Sequence, residues 1–96
     1  MITEIALLDI RTGLSKEFEE AFIVAQPIIE SADGYIQHEL MQCMEQEDKY
    51  LLTVRWRSLE DHTTGFRQSE NYQVWKKLLH HFYDPFPVVE HYKRIF

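Results

Sequence analysis

The chain has 96 residues and a formal charge of −6, with 45% hydrophobic and 27% charged residues. That composition suits one small globular domain over residues 1–96, and no run of Lys or Arg exceeds two, which excludes the basic face of a nucleic-acid or membrane-surface binder. No apolar run approaches the roughly 18 residues needed to span a bilayer, and the N-terminus carries no basic leader pattern, so a cytoplasmic location is expected.

Residues 2–11 are β-rich, with apolar side chains at both alternating sets of positions, and predict a first strand. Thr12-Gly13 breaks the pattern, and Ser15 is placed to cap a helix. Phe18, Phe22, Ala25 and Ile29 recur at helical spacing and form one apolar stripe. Pro27 falls inside that stripe and predicts a kink or an early end. Asp33-Gly34 marks a turn. Residues 35–45 predict a second strand, with Tyr35, Gln37, Glu39, Met41 and Cys43 on one face and Ile36, His38, Leu40, Gln42 and Met44 on the other. A polar connection over 45–49 leads to a third strand over 50–57.

Two helix starts follow. Ser58 with Asp61, and Ser69 before Glu70, have the pattern of N-caps. They predict a short helix over 59–67 and a longer one over 70–82, with Tyr72, Trp75, Leu79 and Phe82 as its apolar stripe. Asp84-Pro85-Phe86-Pro87 forbids continuation, and residues 88–96 predict a last strand. The order β-α-β-β-α-β is the ferredoxin-like arrangement, an α+β fold with helices on one face of an antiparallel sheet. The opposite face still carries Ile5, Leu7 and Leu51, an apolar patch of the kind an interface covers. A homodimer packed sheet against sheet is therefore expected.

Cys43 is the single cysteine and reads as a buried or half-buried strand residue. Paired cysteines and His-Glu-x-x-His spacing are absent, so no metal site is expected. Arg55 and Arg57 share a strand face with Thr53 and are expected to pair with Glu39 or Glu90. Arg67 and Lys76-Lys77 read as a solvated face. His91 and Tyr92 point to opposite sides of the last strand, so at most one joins any cavity.

Gly34-Tyr35-Ile36, Glu39-Leu40, the alternating Tyr50-x-Leu52-x-Val54-x-Trp56, Ser58-x-Glu60, then Phe66, Ser69 and Tyr72 together resemble the antibiotic biosynthesis monooxygenase superfamily over about residues 2–96. The resemblance implies a dimeric α+β barrel. It also implies oxygenation of a small aromatic substrate, a quinol or phenol, without a cofactor. Quinone-forming members place an Asn, a Trp and a Tyr at positions similar to His62, Phe66 and Tyr72; only the Tyr is kept. Haem-degrading members need groups at positions similar to Ala6, Phe66 and about Lys76, and all three are replaced, so haem breakdown is not expected. A non-catalytic, dimeric small-molecule-binding or stress-related protein of the same fold is the alternative.

Cofactor-free oxygenation needs a dry cavity, aromatic walls and a base for the phenolic proton. His62 is the candidate base because its reference pKa lies near neutrality, with Tyr72 as its catalytic partner. Phe66, four residues after His62, shares its helix face. Phe66, Trp75 and His38 are the candidate substrate-binding residues, His38 because it alternates with apolar neighbours on the second strand.

Overall fold

The computed structural model describes residues 1–96. Four strands, β1 (Ile2–Asp9), β2 (Tyr35–Gln42), β3 (Lys49–Trp56) and β4 (Val89–Tyr92), form one antiparallel sheet in the order β2-β3-β1-β4. Helices α1 (Ser15–Glu30) and α2 (Glu70–Leu79) cover one face. A π-helical segment, Asp61–Phe66, stands between β3 and α2, and a single 3-10 turn, His80–Phe82, follows α2. This is the ferredoxin-like α+β fold. No helix is long and apolar enough to cross a membrane.

The core lies between helices and sheet. From β3 it takes Tyr50, Leu52, Val54 and Trp56, from β1 Ala6 and Leu8, and Ile10 just past the end of β1. The α1 stripe of Phe18, Phe22, Ala25 and Ile29 is buried onto them. Each large apolar side chain buried here contributes about 1.5–3 kcal/mol relative to exposure. That packing carries α1 through Pro27 to Glu30, so the expected early end does not occur. The Pro27 carbonyl accepts the Ser31 N–H at 3.2 Å, which closes the last turn.

The two predicted caps of the later helices form. The Ser69 hydroxyl accepts the Tyr72 N–H at 3.1 Å, and the Ser58 hydroxyl accepts the Asp61 N–H at 3.2 Å. Ser15 does not cap α1. It is the first helical residue, and its hydroxyl donates to Asp48 Oδ1 at 2.6 Å, tying α1 to the β2–β3 connection.

Several boundaries differ from the sequence reading. Strand β4 ends at Tyr92 rather than 96, and β2 ends at Gln42, leaving Cys43 half-buried just beyond it. A bulge between Tyr35 and Gln37 shifts the alternation of β2 by one residue. Tyr35 therefore faces the helices with His38 and Leu40, not the side of Gln37 and Glu39. Arg57 pairs with Asp61 at 2.9 Å, four residues on, rather than with a strand carboxylate.

The outer sheet face carries Met41, Leu51 and Leu7 side by side on three adjacent strands, because Leu51 pairs with Met41 on one side and Leu7 on the other. Leu7 is 51% exposed and Met41 45%.

Candidate functional site

A cavity of about 370 Å³ lies between the helices and the β1–β4 side of the sheet. Phe66, Trp75 and Tyr72 form its aromatic wall, with Tyr83 and Phe86 at its far end. Phe66 meets Tyr72 and Trp75 edge-on, with ring centroids 5.5 and 6.0 Å away. Aromatic rings prefer such contacts, so the wall holds itself in place. Ala6 and Leu8 of β1 and Leu52 of β3 floor the cavity. A small side chain at position 6 leaves room above the sheet.

The polar groups converge at one end. Glu4 belongs to the helix-facing set of β1, yet it is only 7% exposed. Its Oε1 accepts the Trp56 indole N–H at 3.0 Å and lies 3.3 Å from His62 Nε2. His62 Nδ1 lies 2.8 Å from His91 Nε2. The strand register explains the grouping: Glu4 and His91 are cross-strand partners on β1 and β4. His62 descends from the π segment onto that pair and stacks on Trp56, with centroids 5.1 Å apart and planes 17° apart.

His62 Nδ1 is thus hydrogen-bonded to His91, and Nε2 lies against Glu4 Oε1 in an N···O contact. The other Glu4 oxygen, Oε2, has no protein hydrogen-bond partner and is not fully buried, and Glu4 lines the cavity. Burial is the main cause that raises the Glu4 pKa, against the opposing pull of the Trp56 N–H and the Arg67 charge. Burial first, then the charges of Arg67 and His91, push His62 down to about 3. The same causes, burial and then Arg67, lower His91. A neutral imidazole beside a carboxyl that resists ionisation follows.

Arg67 also lines the cavity, and no carboxylate lies within ion-pair distance of it. The expectation of a solvated Arg67 fails for a local reason. The Arg67 N–H bonds to the His62 carbonyl, an i to i+5 closure, at 3.0 Å. The wider π turn brings residues 62, 66 and 67 to one side.

The structure brings His62, Phe66, Tyr72 and Trp75 to this cavity. His38 is elsewhere. It lies in a second cleft between α1 and β2, where Tyr35 Oη and Gln26 Oε1 stand 2.6 and 2.8 Å from its two ring nitrogens. Phe22 stands between, its ring 5.8 Å from both His38 and Trp75. Glu4, Arg67 and His91 escaped the sequence reading as site residues. The one available signal was Glu4 itself, an acid among Ala6, Leu8 and Ile10 on an otherwise apolar strand face. No group of three or more His, Cys, Asp or Glu side chains is placed to hold a metal ion.

The family model of antibiotic biosynthesis monooxygenases matches residues 1–78. A Bacillus subtilis protein named only as the uncharacterised protein YczJ is 57% identical over 95 residues, 99% of this chain and all of that one. Among solved structures, a Bordetella bronchiseptica protein bearing the same family name is 30% identical, with a TM-score of 0.94 over 99% of this chain and 97% of its own. SnoaB of Streptomyces nogalater, described as a cofactor-independent oxygenase, shares the fold at 14% identity, with a TM-score of 0.73 over 99% and 93% of the two chains.

Proposed function

The chain belongs to the antibiotic biosynthesis monooxygenase family, and from that premise we propose that it oxygenates a small phenolic or quinol-type aromatic without a cofactor. The observation that carries this reading is Glu4, with one oxygen free of protein partners, lining an aromatic cavity that also holds the unpaired Arg67 guanidinium. The cavity volume lies within the range of small-molecule sites.

The ring of the substrate packs between Phe66, Trp75 and Tyr72. Its O–H gives a proton to Glu4 Oε2 in the carboxylate form. Arg67 stabilises the resulting phenolate, whose charge is worth more to a cation in a dry site than in water. The phenolate then passes an electron to dioxygen, and the two radicals join at the ring carbon para to the oxygen. Loss of that carbon's proton and cleavage of the O–O bond leave a quinone. One oxygen atom enters the product and the other leaves as water with the two protons. His62 Nδ1 is held by His91 and its Nε2 lies against Glu4 Oε1, so in this reading it supports Glu4 and the sequence-based role of direct base passes to Glu4.

The protein acts as a homodimer whose sheets pack through the Met41–Leu51–Leu7 row. A second reading, ligand binding without turnover, draws support from one observation: of the three family positions at 62, 66 and 72, only Tyr72 keeps the residue type of the quinone-forming members.

Oxygen uptake with 1-naphthol and a panel of phenols unsubstituted para to the hydroxyl separates the two readings. The expected result is one dioxygen consumed per quinone formed, with one atom of labelled dioxygen in the product. Quenching of Trp fluorescence by the same compounds without oxygen uptake overturns the enzyme reading in favour of binding.

A further inference from the structure

The row Glu4–His62–His91 runs from the cavity to the edge of the sheet. Glu4 lines the cavity, and its Oε2 has no protein hydrogen-bond partner. His91 sits on β4, the edge strand, is half-buried, and does not line the cavity. Its Nδ1 has no protein partner and is not buried, so it meets solvent. The two links are 3.3 and 2.8 Å. His91 also lies beyond residues 1–78, the part of the chain that the family model matches.

We propose that this row is a proton path that connects the cavity carboxylate to solvent on the sheet edge, with His91 as its outer station. The inference rests on the reading of Glu4 as the base of the site. An aromatic ligand that fills the cavity covers Glu4, and a carboxyl sealed beneath it needs another route for its proton.

The steps balance. In the first arrangement the Glu4 carboxyl donates to His62 Nε2, and His62 Nδ1–H donates to His91 Nε2. One concerted shift moves the Glu4 proton to His62 Nε2 and the His62 Nδ1 proton to His91 Nε2. His91 then releases its Nδ1 proton to water. Glu4 is left as a carboxylate, accepting from Trp56 and from His62 Nε2–H. A ligand hydroxyl then protonates Glu4 Oε2, and once that proton has gone into the water that forms, Glu4 is a carboxylate again. The same shift run backwards, with His91 Nδ1 taking a proton from solvent, restores the first arrangement. The surrounding groups favour a neutral resting row. Arg67 faces it from the π segment's end, Tyr72 and His80 from α2 and the turn after it, and Tyr83 from the stretch before β4. Of these only Arg67 is charged throughout the neutral range, and it opposes protonation of either imidazole.

His91 is a positioning residue in this scheme, and its test has two arms. The first needs no activity. In uniformly nitrogen-15-labelled protein, a scalar coupling across the N–H···N bond between His62 Nδ1 and His91 Nε2 is expected at neutral pH. Two imidazoles that titrate independently, with no coupling, overturn the path.

The second arm is kinetic. Both H91Q and H91A are expected to lower kcat for oxygen uptake at least about tenfold, with KM within about twofold. Free imidazole is expected to restore H91A but not H91Q. Unchanged kcat in both variants overturns the path even if the coupling is seen. If wild-type protein takes up no oxygen at all, the enzyme reading fails, and the spectroscopic arm still decides whether the row exists.

Discussion

His62 Nδ1 lies 2.8 Å from His91 Nε2, although 29 residues separate them in the chain. Two independent features produce the contact. The antiparallel register sets His91 beside Glu4, and the π segment aims His62 at both. Three titratable side chains from three elements thus share one row that runs from the interior to the sheet edge. Each is held nearer to its neutral form than its ordinary pKa dictates.

Glu4→Gln separates chemistry from stability. The raised pKa means that the fold prefers the carboxyl over the carboxylate. Its favourable contribution is full below the unfolded value of 4.5 and is lost as pH rises through the higher folded value. Gln keeps an acceptor for the Trp56 N–H and carries no charge. E4Q is therefore expected to melt a few degrees above wild type at pH 7, about 1 kcal/mol, and the difference should vanish near pH 4. Oxygen uptake should fall about 100-fold or more. Calorimetry and an oxygen electrode on the same samples check both halves. A stable variant with full uptake removes Glu4 from the chemistry.

The lowered pKa of His62 predicts the opposite slope. Its neutral form is favoured by the fold, so its contribution is present above the unfolded value of 6.5 and is lost as pH falls toward about 3. In that window each pH unit costs roughly 1.4 kcal/mol. The E4Q background removes the compensating carboxyl. There, acidification from pH 6 to pH 4 should destabilise E4Q by about 2–3 kcal/mol more than E4Q/H62Q. Urea titrations at the two pH values measure this, and equal slopes in the two proteins contradict it.

The parts of this molecule legible from sequence are those fixed by local periodicity. The α1 stripe, the Ser58 and Ser69 caps, and the alternation of β3 are all short-range patterns, and each fold element follows from them. His62, Phe66, Tyr72 and Trp75 lie close in sequence on neighbouring helical segments, so their shared cavity was also readable. Glu4 and His91 were not, because their roles depend on a strand register and a partner far along the chain. A helix of ordinary pitch leaves Arg67 on the solvated face, whereas the π turn formed here brings it to the cavity. Strict alternation sets Tyr35 and His38 on opposite faces, and the one-residue bulge that brings them to one side leaves no mark in the sequence.

Gly34 joins the sheet to the site-bearing segment, and its replacement tests that joint. Its φ of +81° lies in the left-handed region, and a Cβ there would collide with the Asp61 carboxylate. Its carbonyl also accepts the Arg57 N–H at 2.8 Å. Gly34→Ala must strain the backbone and push Asp61 away from Arg57 and from the Ser58 hydroxyl. The expected cost is about 1–3 kcal/mol, a fall in Tm of roughly 5–15 °C. The damage should reach the cavity, because Asp61 opens the segment that carries His62. A thermal melt with Trp fluorescence follows both, and an unchanged Tm rules out the strain.

Leu51 is the place to test the sheet face. It sits between Met41 and Leu7 in the row on the outer surface, away from the cavity. In a lone protomer these side chains stay wet. A second sheet laid over them recovers roughly 25 cal/mol per Å² of apolar area removed from water. A Lys at position 51 would bury its ammonium at the centre of that contact, where an unpaired charge costs several kcal/mol. Leu51→Lys is therefore expected to turn a dimer into a folded monomer, seen as a halved mass by light scattering with the far-UV dichroism retained. The cavity residues all lie on the other side of the sheet, so ligand quenching of Trp fluorescence should persist in the monomer. A wild-type protein that scatters as a monomer at micromolar concentration, or a variant that stays dimeric, shows that the copies do not meet through this face.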